Sequence, residues 1–172
     1  MNKKKIKISQ IQIQGFKNPY QNAILLKKQL IKTNTFNPDI ISTPECSNII
    51  TNDQKYLLKY STFQSECPIL YECKKFAKKY NKIIHIGSLL LKKKKSSKLI
   101  NRSFIIGGDG KIKKFYDKIN LFDANISKGE KYNESDYFEK GQKLSIVRLM
   151  NIKIGMLICY DLRFPNLFRS LS

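Results

Sequence analysis

The apolar residues of this chain change period repeatedly, from two to about 3.6 and back, and that alternation most constrains its fold. Residues 5–13 (KIKISQIQI) alternate, with one phase slip at Ser9-Gln10, and predict a first strand. Residues 19–32 start at Pro19 and carry Ile24, Leu25, Leu30 and Ile31, which predicts a helix with proline at its first turn. A short buried strand, DIIS at 39–42, ends at Thr43-Pro44-Glu45. Between 68 and 80, Ile69, Cys73, Phe76, Ala77 and Tyr80 recur on one face of an amphipathic helix. Strands follow over 83–91 and 101–106, and Gly107-Gly108-Asp109-Gly110 turns the chain into a strand over 111–116. No helix follows that glycine cluster, so it is not a phosphate cradle. Residues 119–140, rich in Asp, Asn, Gly and Tyr, read as an irregular loop. Strands over 144–149 and 152–158 flank Met150-Asn151, and Pro165 opens a last helix. The order β, α, β, α and then mostly β predicts one α/β domain over 1–172, with helices on one face of a mixed sheet.

Several function classes are excluded by composition. The longest apolar stretch, IIHIGSLLL at 83–91, is about half the roughly 20 residues a membrane span requires. Met1-Asn2-Lys3-Lys4-Lys5 looks like a secretory n-region, but the glutamine-studded segment after it is no apolar h-region. The expectation is a cytoplasmic protein with no membrane partner. The charge balance, 33 Lys plus Arg against 13 Asp plus Glu, gives +20. Only four of the basic residues are Arg, and the lysines are scattered along the chain among many Ile and Asn, as an A/T-rich coding bias would supply. A dedicated nucleic-acid binder concentrates its charge and favours Arg. No specific nucleic acid is therefore expected; a basic binder with steeply salt-dependent affinity is kept as an alternative. The run Lys92–Lys95 sits between a strand and a Ser-Ser turn and reads as a solvated loop.

Cys46, Cys67, Cys73 and Cys159 include no CxxC pair, and His85 is the sole histidine, so a zinc site has almost nothing to build with. His85 lies in an apolar run and reads as a core histidine rather than a catalytic base. Three polar residues instead stand at the ends of apolar strands, where α/β sheets place their sites: Glu45, Lys118 and Cys159. Each has a bland reading as a turn cap, one lysine among many, or a core thiol. A thiol at a strand-to-helix turn, however, is exposed to backbone N–H groups and to a helix start that favours thiolate.

Taken together, these segments resemble the nitrilase or carbon–nitrogen hydrolase superfamily. STPECSN at 42–48, KFYDKINLFD at 114–123 and GMLICYDLRFPNLF at 155–168 match its three signatures in order, and ESDYFEKG at 134–141 resembles the segment bearing its second glutamate. The resemblance implies the N-terminal part of a four-layer αββα sandwich, with mixed sheets and helices on the outer faces. It assigns Cys159 as nucleophile, Glu45 as general base and acid, Lys118 as oxyanion stabiliser with the Tyr160 N–H, and Glu134 as the accessory carboxylate beside Lys118. Neither a metal nor an organic cofactor is implied. YDKINLFD followed by GEKYNESDYF looks most like the Nit-type ω-amidase and deaminated-glutathione amidase branch, which hydrolyses small carboxylated primary amides. Asn120 stands where that branch often has His, and Lys140 where Pro is common.

The family's sequence continues well past the cysteine turn, whereas here Ser172 follows Cys159 by thirteen residues (172 − 159). The expectation is a C-terminally incomplete domain that is either an amidase forming a homo-oligomer, such as a dimer, or an inactive remnant or half of a split amidase acting as an interaction module, with a complementing C-terminal fragment as a possible partner.

Overall fold

A computed structural model of the chain describes residues 5–126 and 130–172. Four residues of the Met1–Lys5 segment, and 127–129 within the expected loop, lie outside the described residues. The elements are β1 (Ile8–Gln10), α1 (Pro19–Asn34), β2 (Ile40–Thr43), α2 (Gln54–Tyr60), β3 (Thr62–Phe63), α3 (Pro68–Tyr80), β4 (Ile83–Lys92), β5 (Leu99–Ile106) and β6 (Ile112–Asp117). After them come β7 (Asp123–Ile126), β8 (Glu130–Asn133), β9 (Ile146–Leu149), β10 (Ile152–Gly155) and α4 (Pro165–Leu171).

Local chemistry accounts for the two long helices. Asn18 caps α1, its Oδ1 accepting from the N–H groups of Tyr20 (2.8 Å) and Gln21 (3.3 Å), and Pro19 opens the first turn, where no N–H is needed. Helix α3 starts the same way at Pro68 and stops at Asn81, whose φ of 49° is left-handed. The two helices pack against each other and lay Leu26, Leu30, Ile69, Cys73 and Phe76 onto one face of the sheet. Ile41, Ile84, Ile86, Leu89, Phe104 and Ile106 meet them from β2, β4 and β5. Each fully buried Leu or Ile of this layer contributes about 1.5–3 kcal/mol of transfer free energy.

The main sheet runs β1-β2-β4-β5-β6, with β3 added to the far end of β4. Strands β1, β2 and β4 are parallel; β5 and β6 continue antiparallel, so the sheet is mixed as expected. On its second face the β9–β10 hairpin packs over Ile105 and Tyr116 together with Met156 and Ile158. Helix layer, main sheet and a second, two-stranded sheet are thus stacked in that order.

Several sequence expectations need correction. The first strand is three residues rather than nine, although Ile11 N–H still reaches the Ser42 carbonyl at 2.8 Å. The second strand of the last hairpin ends at Gly155 and not at 158, because residues beyond it leave the ladder to form the cysteine turn. The stretch 119–140 is not wholly irregular: β7 and β8 pair across it, and Glu134–Asp136 is a 3-10 turn. Polar strands held by backbone pairing leave no hydrophobic alternation to read. Helix α2, capped by Asp53 through the Tyr56 N–H (3.0 Å), and β3 were not foreseen either. His85 is half-buried rather than fully buried, bridging Ser42 on β2 (2.8 Å) and Ser103 on β5 (3.1 Å), and burial lowers its pKa and keeps it neutral. Among the described residues no helix is long and apolar enough to cross a membrane.

Glycine matters at two crossings. A Cβ on Gly87, beside the β4 bulge, would sit 2.3 Å from the Thr43 carbonyl oxygen and 2.7 Å from the Pro44 carbonyl. On Gly141 it would sit 2.0 Å from the Asp117 carbonyl oxygen. Both neighbours are backbone and lie one or two residues before Glu45 and Lys118, so any relief moves those residues. Gly87→Ala is expected to destabilise the fold by about 1–3 kcal/mol, a fall in Tm of roughly 2–12 °C in calorimetry; an unchanged Tm would show that the crossing tolerates a methyl group.

Candidate active site

Glu45 stands in the turn that follows β2. That turn is strapped to the β4 bulge by Cys46 N–H donating to Ser88 Oγ (2.9 Å), Ser47 N–H to Ser88 O (3.0 Å) and Ser88 N–H to Pro44 O (3.3 Å). Its carboxylate Oε1 accepts from Asn101 Nδ2 at 2.9 Å and from Lys118 Nζ at 3.3 Å. Lys118 is the first residue after β6. Its N–H donates to Asn101 O (3.0 Å) and its carbonyl accepts from Gly141 N–H (2.7 Å), so the backbone is held on both sides while the side chain is 2% exposed. Glu134, in its 3-10 turn, brings both oxygens to the ammonium at 3.0 and 2.9 Å, and Oε2 also accepts from Phe122 N–H at 2.7 Å.

Cys159 opens the 3-10 turn Cys159–Arg163, with an exposed side chain and a left-handed φ of 43°. Burial of the sulfur raises its pKa above the ordinary thiol value, and so do the charge of Glu45 and a hydrogen bond to it; Lys118 pulls the other way, and Glu134 adds to the rise. The resting thiol is therefore protonated at neutral pH, with a carboxylate placed to receive its proton. Desolvation lowers the Lys118 pKa, but Glu45 and Glu134 outweigh it and hold the ammonium above its usual value. A buried cation between two carboxylates satisfies the requirement that buried charge be paired.

The structure thus brings together the four side chains the sequence singled out, although residues 45 and 118 are 73 positions apart. The ring of Tyr160 stands edge-on to Phe122 (4.9 Å between centroids) and Phe164 (5.4 Å), walling the cysteine turn. Of the run Lys92–Lys95, residues 93–95 are exposed beyond the strand as a solvated run should be, whereas Lys92 is the last residue of β4 and only partly exposed, because it still pairs with Leu99. Asn101 and Asp161 were missed. Asn101 carries no motif signal; Asp161 lies inside the CYDLRFP run, where a carboxylate two residues from the cysteine is the available signal. Asp161 is fully buried, and Asn101 is 2% exposed. Among the described residues no cluster of His, Cys, Asp or Glu has the makings of a metal centre. A weakly nucleophilic thiol beside a base, with a fixed cation nearby, is equipped to attack a carbonyl carbon and hold the resulting oxyanion.

Comparison with known proteins identifies the family and the fold. The family model for carbon-nitrogen hydrolases matches residues 8–172. The chain is 29% identical over 170 residues to deaminated glutathione amidase of Yersinia enterocolitica, covering 98% of this chain and 59% of that protein. It is likewise 29% identical over 173 residues to omega-amidase NIT3 of Saccharomyces cerevisiae, covering 95% and 58%. It therefore spans rather more than half the length of these relatives. Among solved structures, Caenorhabditis elegans NitFhit superposes with a TM-score of 0.84 at 24% identity, over 94% of this chain and 40% of that one. Saccharomyces cerevisiae Nit3, a member of the nitrilase superfamily, does so with 0.80 at 24%, over 97% and 61%. The fold is the nitrilase fold. Since the family match runs through every segment that carries Glu45, Lys118, Glu134 and Cys159, the chain belongs to the carbon-nitrogen hydrolase family.

Proposed function

We propose that the chain carries a thiol amidase site that hydrolyses the C–N bond of small carboxylated primary amides and releases ammonia. The observation behind this reading is the buried Lys118 ammonium, which ties Glu45 to Glu134 within reach of the Cys159 thiol. Asn101 and Lys118 both occupy Oε1 of Glu45, leaving Oε2 for the thiol proton. Glu45 removes that proton as sulfur attacks the amide carbonyl carbon. The Lys118 ammonium and the Tyr160 N–H hold the oxyanion, an effect worth roughly 3–4 kcal/mol per donor. Collapse of the tetrahedral species breaks the C–N bond, and Glu45 returns its proton to the departing nitrogen, which leaves as ammonia. Glu45 then deprotonates a water that attacks the thioester; the carboxylic acid departs and sulfur recovers its proton. Glu134 keeps Lys118 in place throughout.

A carboxylated substrate is supported by the relatives' names.

Ammonia release from α-ketoglutaramate, measured beside a neutral amide and a nitrile, tests the reading. The carboxylated amide should turn over fastest and the nitrile slowest. Silence from a folded sample with all three would reject turnover by these 172 residues and favour a site that needs further polypeptide, separately supplied. Glu45→Gln adds a test of sign. Removing that charge and hydrogen bond should lower the Cys159 pKa and quicken its alkylation at pH 7, while turnover falls about 10²- to 10⁴-fold for loss of the base. Slower alkylation in the variant would contradict the electrostatics.

A further inference from the structure

We propose that Asp161 is the positioning residue that locks the nucleophile turn to the strand end bearing Lys118. Resting on the amidase reading above, it adds a group that neither binds substrate nor moves a proton. The Asp161 carboxylate is fully buried and accepts four hydrogen bonds. Oδ2 takes the Tyr116 hydroxyl (2.8 Å) and the Ile158 N–H (3.0 Å); Oδ1 takes the Asn120 N–H (2.9 Å) and the Asn120 side-chain amide (3.0 Å). Ile158 immediately precedes Cys159, and Tyr116 and Asn120 lie two residues to either side of Lys118. One carboxylate therefore holds both halves of the site, from residues 41 to 45 positions away.

Three features argue for positioning rather than simple packing. No cation pairs with Asp161 among the described residues, so its charge is met by oriented neutral donors, each of which fixes a direction. Burial, and then the hydrogen bond to Asp161 and its charge, push the Tyr116 hydroxyl up, so it stays protonated and donates. Tyr116 oxygen in turn accepts from Ile119 N–H at 3.2 Å, which extends the link across Lys118. Cys159, finally, holds a left-handed φ that a non-glycine residue adopts only when its surroundings over-determine it. Asp161 supplies that constraint: its side chain accepts from Ile158 N–H, and its own N–H donates to Ile158 O at 3.1 Å, closing the turn around the cysteine from both ends.

Asp161→Asn keeps the shape, but its amide NH2 then faces two of the four donors. The readout is the pH dependence of Cys159 alkylation by iodoacetamide, mapped by peptide mass spectrometry and free of any need for turnover. In the wild type, burial of the sulfur first, then the charge of Glu45 and the hydrogen bond to it, place its midpoint above that of an unstructured thiol; Lys118 opposes this and Glu134 adds to it. In folded D161N the midpoint should fall toward the unstructured value. A one-unit fall would speed alkylation at pH 7 about threefold, thiolate gain being partly offset by lost nucleophilicity. Adding E45Q should then move the midpoint no further, whereas it lowers it in the wild type. A D161N protein that melts earlier yet keeps the wild-type midpoint and the full Glu45 effect would overturn the proposal. If D161N does not fold, Tyr116→Phe combined with Asn120→Ala, which leaves the carboxylate and both backbone donors, decides: a lowered midpoint supports positioning and an unchanged one overturns it. Amide hydrolysis is scored separately, so a silent wild type with an intact D161N effect would reject the amidase reading and leave this one standing.

Discussion

Replacing Cys159 by Ala is expected to abolish ammonia release, by at least about 10³-fold and down to background, while leaving the fold unchanged. Cys159 is the one exposed thiol of the four, so its loss opens no core cavity. Cys67 and Cys73 are buried in the helix layer, and burial raises both thiols, so neither can substitute as nucleophile. Cys46 is adjacent to Glu45 in sequence, yet burial foremost, followed by the Glu45 charge, pushes its thiol far up, and its turn faces the β4 bulge. A C159A protein with wild-type Tm and persistent hydrolysis would sink the thiol mechanism. Serine at the same position would be a weaker test, since a hydroxyl retains some nucleophilic character.

Lys118→Ala should damage both stability and turnover. With the ammonium gone, the carboxylates of Glu45 and Glu134 face each other without the cation that each now contacts within 3.3 Å. Leaving buried charge uncompensated costs about 3–5 kcal/mol. The oxyanion loses a donor as well, a further 10²- to 10³-fold in turnover. Neutralising the run Lys92–Lys95 removes four times as much formal charge, but at the surface, where water screens it; Lys93 pairs there with Glu139, and turnover is expected to change by no more than about twofold. Equal sensitivity to the two changes would mean that bulk charge, not the buried ammonium, governs activity.

Both predictions concern residues legible in one dimension. Glu45, Lys118 and Cys159 sit where apolar runs stop, and a polar residue at a strand end already suggests a site. Helix α3 was legible from end to end because the recurrence of Ile69, Cys73, Phe76, Ala77 and Tyr80 is a local signal. Its neighbour α1 was read two residues short, since its last turn lies beyond the apolar pattern. Where the signals ran out, so did the reading: the polar hairpin β7–β8 pairs through backbone groups that every residue possesses.

By itself, then, the sequence determined the period of each segment, hence an α/β layer structure, and the kinds of group available for chemistry. Only the tertiary structure decided which of them meet. Asn101 reaches Glu45 from 56 positions away and Tyr116 reaches Asp161 from 45, because β5 and β6 are paired in one register and the cysteine turn is laid across their second face. A hydrogen bond depends on tenths of an ångström. Those tenths are set by close packing, by Gly87 and Gly141 letting backbones cross, and by a buried carboxylate closing the turn, none of which has a periodicity to read.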